Sequence, residues 1–260
     1  MSDVLKIFKI GGGIIDDASQ LGLFLTELAR VPGPKILVHG GGKGASQMLQ
    51  DLGIEPNMVQ GRRITDAATL DIVTMFYAGK TNKQIVALLQ QRGINALGLS
   101  GADGNVIRAT KRPVKDIDYG FVGDLNAESV NSELVVQLLR ANVTPVFCAI
   151  THDGQGQLLN TNADTIASVL ACALTSAYRV ELHFCFEKDG VLSDISDNQS
   201  VIKNIVPEQY QQLKTAGVIA AGMVPKLDNA FAALAAGVDK VVIENALKIN
   251  EPVKTVLCRS

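Results

Sequence analysis

Two glycine-rich stretches, Lys9-Ile10-Gly11-Gly12-Gly13 and His39-Gly40-Gly41-Gly42-Lys43-Gly44, set the expected fold of this 260-residue chain. Each stretch ends or directly follows an apolar run of strand-forming residues. Glycine has no side chain, so a glycine loop after a strand brings backbone N–H groups close to a ligand, and a lysine adds positive charge. The two stretches therefore predict loops that bind a phosphate group.

Strand-like and helical patterns alternate along the rest of the chain. Apolar strand-like runs fall at 5–10, 35–39, 95–100, 144–150, 180–186 and 240–244. Helical patterns fall at about 16–30, 43–52, 66–92, 127–141, 162–176, 207–216 and 225–236. This alternation predicts an α/β fold: a doubly wound, mostly parallel open sheet with helices on both faces.

The stretch 106–124 does not follow this alternation. Its alternating residues, Pro113 and the turn Tyr119-Gly120-Phe121-Val122-Gly123 predict β-hairpins that protrude as a flap. Farther along, a long helical pattern ends near Ser176 and a new strand begins. We therefore expect two closely packed lobes, 1–176 and 177–260.

The composition argues against several classes of protein. With 24 basic and 26 acidic residues the net charge is −2, which gives no electrostatic footprint for nucleic acid or an anionic membrane. No eighteen-residue apolar run predicts a membrane span, and no signal peptide is evident. The four cysteines form no Cys-x-x-Cys pair, and His183-x-Cys185 lacks partners for a zinc site. We expect a cytoplasmic protein with reduced thiols.

The glycine loops also have simpler interpretations. Glycine after a strand is often only turn chemistry. Gly40-x-Gly42-x-x-Ala45 fits the loose dinucleotide fingerprint, but the chain then runs into Leu52-Gly53-Ile54-Glu55-Pro56 without the acidic strand end that a dehydrogenase requires. The P-loop pattern fails because Gly44 follows Lys43. Dehydrogenase and P-loop chemistry are therefore disfavoured.

Two later segments carry polar residues at predicted helix starts. In Asn160-Thr161-Asn162-Ala163-Asp164, either Asn162 or Asp164 can be a helix cap, although three polar residues exceed what one cap needs. In the second segment, Lys226 follows Pro225 in the first turn of a predicted helix. Cations favour helix C-termini, so this lysine indicates a bound anion, with a solvated surface lysine as the alternative.

Taken together, these motifs resemble the amino acid kinase superfamily and, within it, the N-acetyl-L-glutamate kinases. The resemblance runs in family order from about residue 5 to residue 243. It rests on Lys9-Ile10-Gly11-Gly12, Val38-His39-Gly40-Gly41-Gly42, Gly61-Arg62-Arg63-Ile64-Thr65-Asp66, Gly98-Leu99-Ser100-Gly101-Ala102-Asp103-Gly104, Asn160-Thr161-Asn162-Ala163-Asp164 and Gly222-Met223-Val224-Pro225-Lys226. The resemblance implies transfer of the γ-phosphoryl group of ATP, carried with Mg²⁺, to the side-chain carboxylate of an N-acylated glutamate, as in arginine synthesis.

The resemblance also implies roles for individual residues. Lys9 and Lys226 would be the catalytic cations, held in position by a third catalytic residue, Asp164. Acceptor binding is expected from Gly41, Gly42, Arg63 and Asn160, with Arg62 left open as the alternative to Arg63. Nucleotide binding is expected from Gly12, Glu187, Lys188, Asp189 and Gly190. The 1–176 lobe would bind the acyl-glutamate and dimerise, and the 177–260 lobe would bind ATP.

Two alternatives remain open within this resemblance. The segment 186–190 departs from the usual family pattern and is similar to relatives that use N-succinyl-L-glutamate, whose extra carboxylate would need a cationic partner. The basic side chains of the flap are the candidates: Arg108, Lys111, Arg112 and Lys115. The same departure leaves a non-catalytic, regulatory binding protein as a rival interpretation. Because the first strand begins at the start of this sequence, without the extra helix of the hexameric relatives, we expect a homodimer insensitive to arginine.

Overall fold

One large β-sheet organises the part of the chain that the computed structural model describes, residues 4–59, 62–194, 196–219 and 223–259. Gly61 and Gly222, which open two of the quoted motifs, lie outside the described residues. The described strands are, in chain order, β1 (Val4–Ile10), β2 (Lys35–His39), β3 (Met58–Val59), β4 (Arg62–Arg63), β5 (Ala96–Leu99), β6 (Thr110–Lys111), β7 (Gly123–Asp124), β8 (Thr144–Phe147), β9 (Ile150–His152), β10 (Leu158–Asn160), β11 (Arg179–Phe186), β12 (Asn204–Ile205), β13 (Lys240–Asn245) and β14 (Thr255–Leu257).

The large sheet has the strand order β12-β14-β13-β11-β1-β2-β8-β5. All neighbours from β13 to β5 are parallel, which confirms the predicted doubly wound sheet. At one edge, β14 instead runs antiparallel to β13. The connection between these two strands holds one short helical turn, Ala246–Lys248, and is too short for the helical crossover that a parallel pair requires.

Helices cover both faces of the sheet. The described helices are α1 (Gly12–Asp16), α2 (Ala18–Arg30), α3 (Gly44–Asp51), α4 (Ala67–Thr74), α5 (Asn82–Gln91), α6 (Ser132–Arg140), α7 (Ala163–Ala173), α8 (Pro207–Thr215) and α9 (Val224–Ala235). The predicted helix over 66–92 is α4 and α5 joined by a π-helical segment, Met75–Thr81. None of the described helices has the length and apolar character needed to cross a membrane.

The central strand β1 shows why its sequence is apolar on both faces. Ile7 packs into the core between the sheet and α7, whereas Phe8 packs into the core that α2 covers. Each face contributes fully buried side chains, so five of the seven residues of the strand are apolar and only Lys6 and Lys9 interrupt the run. The carboxyl ends of β1, β2, β8 and β11 therefore lie at one edge of the sheet, where doubly wound folds bind ligands.

Short hairpins lie beyond this edge. β6 pairs with β7 inside the predicted flap, and two further hairpins are formed by β3 with β4 and by β9 with β10. An isolated bridge between Thr65 and Gly120 ties the flap to the chain after β4, and another joins Val122 to Asn160 in β10. The hairpins thus bring residues from distant parts of the sequence next to the glycine loops.

Candidate active site

A cavity of about 350 Å³ lies at the carboxyl ends of β1 and β2. Both glycine loops, the β3–β4 hairpin, β10 and the start of α7 contribute to its wall. Six of the seven residues that the sequence assigned to catalysis and acceptor binding are in its lining: Lys9, Gly41, Gly42, Arg63, Asn160 and Asp164. Gly12, assigned to nucleotide binding, is also in the lining, whereas the catalytic candidate Lys226 is not. The fold therefore brings together groups that are up to 155 positions apart, from Lys9 to Asp164.

Two lysines meet one carboxylate at this cavity. Lys9 Nζ, at the end of β1, lies 2.7 Å from Asp164 Oδ1, and Lys226 Nζ, in the first turn of α9, lies 3.6 Å from Asp164 Oδ2. Asn162 caps α7, since its side-chain oxygen accepts a hydrogen bond from the Thr165 N–H at 3.1 Å. Asp164 is therefore not the cap of α7, and its carboxylate contacts both ammonium groups.

The charges of this cluster influence one another. Burial by itself would raise the pKa of Asp164, but the ammonium groups of Lys9 and Lys226 outweigh burial and lower it below its ordinary value. Burial also lowers the pKa of Lys226, while the charge of Asp164 opposes this shift. The Lys226 ammonium lies 4.3 Å from the centre of the Phe186 ring, which adds a cation–π contact. The cluster thus presents two positive charges against one negative charge, a surplus suited to an anion.

The glycine loops are closely packed, and larger residues would not fit in them. A Cβ atom at Gly41 would overlap the ring of Tyr77, and one at Gly12 would come within 2.8 Å of the Gly42 Cα. Gly42 has φ of +61°, a left-handed conformation that favours glycine, and the Asp16 carboxylate lies where its Cβ would be. The two loops therefore contact each other through backbone atoms.

Arg63 is the buried arginine of the β3–β4 hairpin. Its Nη2 donates to Ser46 Oγ at 2.7 Å, whereas its Nη1 is buried without a hydrogen-bond partner among the described residues. Arg62 also lines the cavity but is only half-buried. Asn160 Nδ2 donates to Thr65 Oγ1 at 3.0 Å. A buried guanidinium with an unused N–H group is suited to a carboxylate ligand.

A second cavity, of about 240 Å³ and mostly apolar, lies at the end of β11. It is lined by residues that include Phe186, Glu187, Lys188, Gly190, Val191, Leu192 and Met223. Asp189, which the sequence assigned to nucleotide binding, is not in this lining. Its carboxylate accepts hydrogen bonds from Asn245 Nδ2 and Lys248 Nζ. Phe186 lines the apolar cavity, and its ring lies against the Lys226 ammonium, which in turn contacts Asp164 in the wall of the first cavity.

Sequence reasoning missed Tyr77, Ser46 and Asp16. Tyr77 lines the first cavity from the π-helical segment, and Asp16 Oδ2 accepts a hydrogen bond from the Lys43 N–H at 2.7 Å. Tyr77 stands in an ordinary helical pattern, so only the π-helical segment marks it, and such segments are frequent at functional sites. Among the described residues, no three His, Cys, Asp or Glu side chains are grouped as metal ligands.

Comparisons with known proteins identify the family. The model of the amino acid kinase family matches residues 5–245. An acetylglutamate kinase of Phocaeicola vulgatus is 52% identical over 257 residues, covering 99% of both chains, and one of Bacteroides thetaiotaomicron is 53% identical, covering 96% of this chain and 98% of its own. An N-acetylglutamate synthase of Neisseria gonorrhoeae, solved with coenzyme A and N-acetyl-glutamate, shares the fold with a TM-score of 0.82 at 19% identity, covering 99% of this chain and 60% of its own. The chain belongs to the amino acid kinase family.

Proposed function

We propose that this enzyme transfers the γ-phosphoryl group of ATP to the side-chain carboxylate of N-acetyl-L-glutamate, giving N-acetyl-L-glutamyl 5-phosphate in arginine biosynthesis. The similarity to acetylglutamate kinases over nearly the whole chain supports this substrate. The observation that carries the proposal is the pairing of Lys9 and Lys226 with one carboxylate at a cavity that also holds Arg63 and Asn160. This arrangement favours a kinase over a non-catalytic binding protein.

The chemistry requires no general base. A glutamate side chain has a pKa of about 4.3 and is already ionised at neutral pH, so its oxygen can attack the γ-phosphorus directly. The new bond joins that oxygen to phosphorus, and the bond to the β–γ bridging oxygen breaks, so that ADP leaves with the electron pair. Catalysis then consists of alignment and neutralisation of negative charge.

Lys9 and Lys226 supply this neutralisation in our proposal. Lys9 would lie against the phosphoryl group in transit, and Lys226 would stabilise the leaving side, because it contacts Asp164 of the first cavity and Phe186 of the apolar one. Asp164 positions both ammonium groups before the substrates bind, so little reorganisation is needed in the transition state. The backbone N–H groups of Gly12, Gly41 and Gly42 would complete the phosphoryl site.

Arg63 and Asn160 would hold the acceptor. The unused Nη1 of Arg63 is a donor that a substrate carboxylate can satisfy, and a guanidinium binds carboxylates in a fixed geometry. Asn160 can contribute its amide oxygen to the substrate, since its nitrogen already donates to Thr65. These contacts would orient the side-chain carboxylate of the acceptor towards Lys9.

The apolar cavity is the proposed adenine site. Apolar walls suit a nucleobase, and Glu187, Lys188 and Gly190 are among the lining residues, whereas Asp189 would act by fixing the loop. Mg²⁺ favours oxygen ligands and keeps several waters, so it would be held mainly by the nucleotide phosphates, where it neutralises charge. The carboxylate of Glu187, which lies against Gly13 at the first glycine loop, fits as an additional oxygen ligand.

N-succinyl-L-glutamate is a second candidate acceptor, because Arg62 lines both the first cavity and a neighbouring cavity under the flap. In that neighbouring cavity Arg112 is already ion-paired with Asp124, which leaves Lys115 and Arg62 as cations for an extra carboxylate. Of the flap cations named from the sequence, Arg108 instead donates to the Asp153 carbonyl oxygen. Because Arg62 lines both cavities and Lys115 only the neighbouring one, an added succinyl carboxylate would be bound by Arg62.

The test is an assay of acyl phosphate. Purified protein is incubated with Mg-ATP, and hydroxylamine traps the product from N-acetyl-L-glutamate, N-succinyl-L-glutamate, L-glutamate or L-aspartate. Preference for the acetyl compound supports the main proposal. Preference for the succinyl compound that Arg62→Leu abolishes supports the second candidate. Absence of product with every acceptor contradicts both.

We also propose a homodimer formed through the 1–176 lobe, with ATP on 177–260. Support comes from Leu97, which is 41% exposed on the edge strand β5, and from Met75, which is 52% exposed. Light scattering after size-exclusion chromatography should give twice the chain mass. Leu97→Lys should shift the measured mass towards that of the monomer. A hexamer or a stable wild-type monomer would contradict this proposal.

A further inference from the structure

His39 is a fully buried histidine directly before the second glycine loop. Its Nδ1 lies 2.8 Å from the carbonyl oxygen of Gly40, and its Nε2 lies 3.0 Å from Asn82 Nδ2. His39 itself is not in the lining of the cavity, whereas Gly40, Gly41 and Gly42 all are. The histidine thus lies behind the loop and contacts it from the protein interior.

These partners determine which nitrogen of His39 carries the proton. The Gly40 carbonyl oxygen can only accept, so Nδ1 must donate. The Asn82 amide is oriented by two other contacts: its nitrogen donates to the Val146 carbonyl oxygen at 2.9 Å, and its oxygen accepts from Lys83 Nζ at 3.2 Å. Its nitrogen therefore faces His39 Nε2, which must accept.

His39 is consequently a neutral imidazole protonated at Nδ1. Burial, which disfavours the charged form, lowers the pKa of His39 to about 4, although the hydrogen bond to Gly40 opposes this shift. A second proton on Nε2 would point at the Asn82 amide nitrogen, which offers no acceptor. The hydrogen bond to Gly40 therefore keeps one direction, from histidine to carbonyl, across the physiological pH range.

The orientation of Gly40 fixes that of the next N–H group. In a trans peptide the C=O and N–H bonds point in opposite directions, and the described backbone has no cis peptide bond. Because His39 holds the Gly40 oxygen towards the interior, the N–H of Gly41 points away from it, to the side of the cavity. No described residue accepts a hydrogen bond from the Gly41 N–H.

We propose that His39 is a positioning residue, which, by donating to the Gly40 carbonyl, aims the Gly41 N–H at the phosphoryl group in transit. This inference rests on the proposed function, because the phosphoryl group is the ligand that the N–H would stabilise. His39 never touches substrate. Asn82 acts one step farther away, by fixing the tautomer of His39.

The kinetic test compares two substitutions of His39. His39→Leu removes the donor at similar volume, and we expect kcat to fall about 10- to 100-fold, because a misaimed donor stabilises the transition state less. The KM values for ATP and acceptor should stay within about threefold, because substrate binding relies on other contacts. His39→Asn can place an amide nitrogen near the Nδ1 position and should restore most of kcat.

Two controls separate positioning from loss of structure. His183→Leu changes another buried histidine, one that pairs with Glu244 outside the cavity lining, and should lower the melting temperature without lowering kcat. Combining His39→Leu with Asn82→Leu should lower kcat no further than His39→Leu alone, since Asn82 acts through His39.

A spectroscopic measurement on the wild-type protein tests the inference even if the variants fail to fold. The chain has three histidines, so ¹⁵N labelling of histidine and NMR can assign each ring. We expect Nδ1 of His39 to be protonated and Nε2 unprotonated from pH 8 to about pH 5. A proton on Nε2 in this range, or equal loss of kcat in His39→Leu and His39→Asn, would overturn the inference. Failure of the proposed function would be distinct, since the wild-type enzyme would then form no acyl phosphate.

Discussion

Replacing Asp164 with asparagine tests whether one carboxylate organises the two lysines that we propose to be catalytic. The change keeps the shape of the side chain but removes the charge that Lys9 contacts at 2.7 Å and Lys226 at 3.6 Å. At an effective dielectric constant of about 20, these distances correspond to gross attractions of about 6 and about 5 kcal/mol. Desolvation offsets part of this attraction, and breaking a buried pair by removing one partner typically destabilises by about 3–5 kcal/mol.

We take the lower end of that range, because the Lys226 side chain is 29% exposed. A loss of about 3 kcal/mol lowers the melting temperature of a chain of this size by roughly 6–12 °C. The matched control is Asp239→Asn, which breaks a pair with Arg179 in which both side chains are exposed. That control should lose much less stability than Asp164→Asn, because solvent screens the attraction between exposed charges.

Activity provides the second readout. Without Asp164 the two ammonium groups repel each other and lose their positions, so kcat should fall about 100-fold or more. ATP binding, measured by calorimetry, should stay equal or tighten, because a negative charge next to the phosphates has been removed. Asp164→Asn with kcat within threefold of wild type, or with no larger loss of stability than Asp239→Asn, would refute the assignment.

Three other changes test separate parts of the site. Gly41→Ala should abolish phosphoryl transfer, because its Cβ would overlap the Tyr77 ring, whereas Gly79→Ala, with open space around it, should leave the melting temperature and kcat close to wild type. Arg63→Lys should raise the KM for the acceptor about 10-fold or more without changing that for ATP, since an ammonium lacks the planar pair of donors; equal changes in both would contradict the acceptor role. Burial alone would raise the pKa of Glu181, but its hydrogen-bonded partners His183 and Lys240 lower that pKa to about 2. The stability that Glu181 contributes is therefore present above about pH 4.5 and is lost as the pH falls towards 2. In urea unfolding, the difference in free energy of unfolding between wild type and Glu181→Gln should become smaller over that range, and a constant difference would contradict this.

Much of the fold was predictable because β1 and its neighbours are buried on both faces and read as apolar runs. The edge of the sheet formed by β12 and β14 was not predictable, since these two strands are too short to produce a sequence pattern. The role of Asp164 was ambiguous for a different reason. A first-turn carboxylate looks the same in sequence whether it caps its own helix or binds lysines from other elements, and only the packing of α7 against β1 and α9 settles which occurs.

The sequence by itself determined the alternation of strands and helices, the two glycine loops after β1 and β2, and the family, because these depend on local propensity and on motifs that are contiguous in the chain. The tertiary structure alone decided that Arg63 is buried with an unused N–H group while Arg62 extends to a neighbouring cavity. It also decided that Tyr77 closes over Gly41 and that His39 donates to Gly40. These are questions of direction, and the direction of a side chain or a peptide is set by contacts with residues distant in sequence.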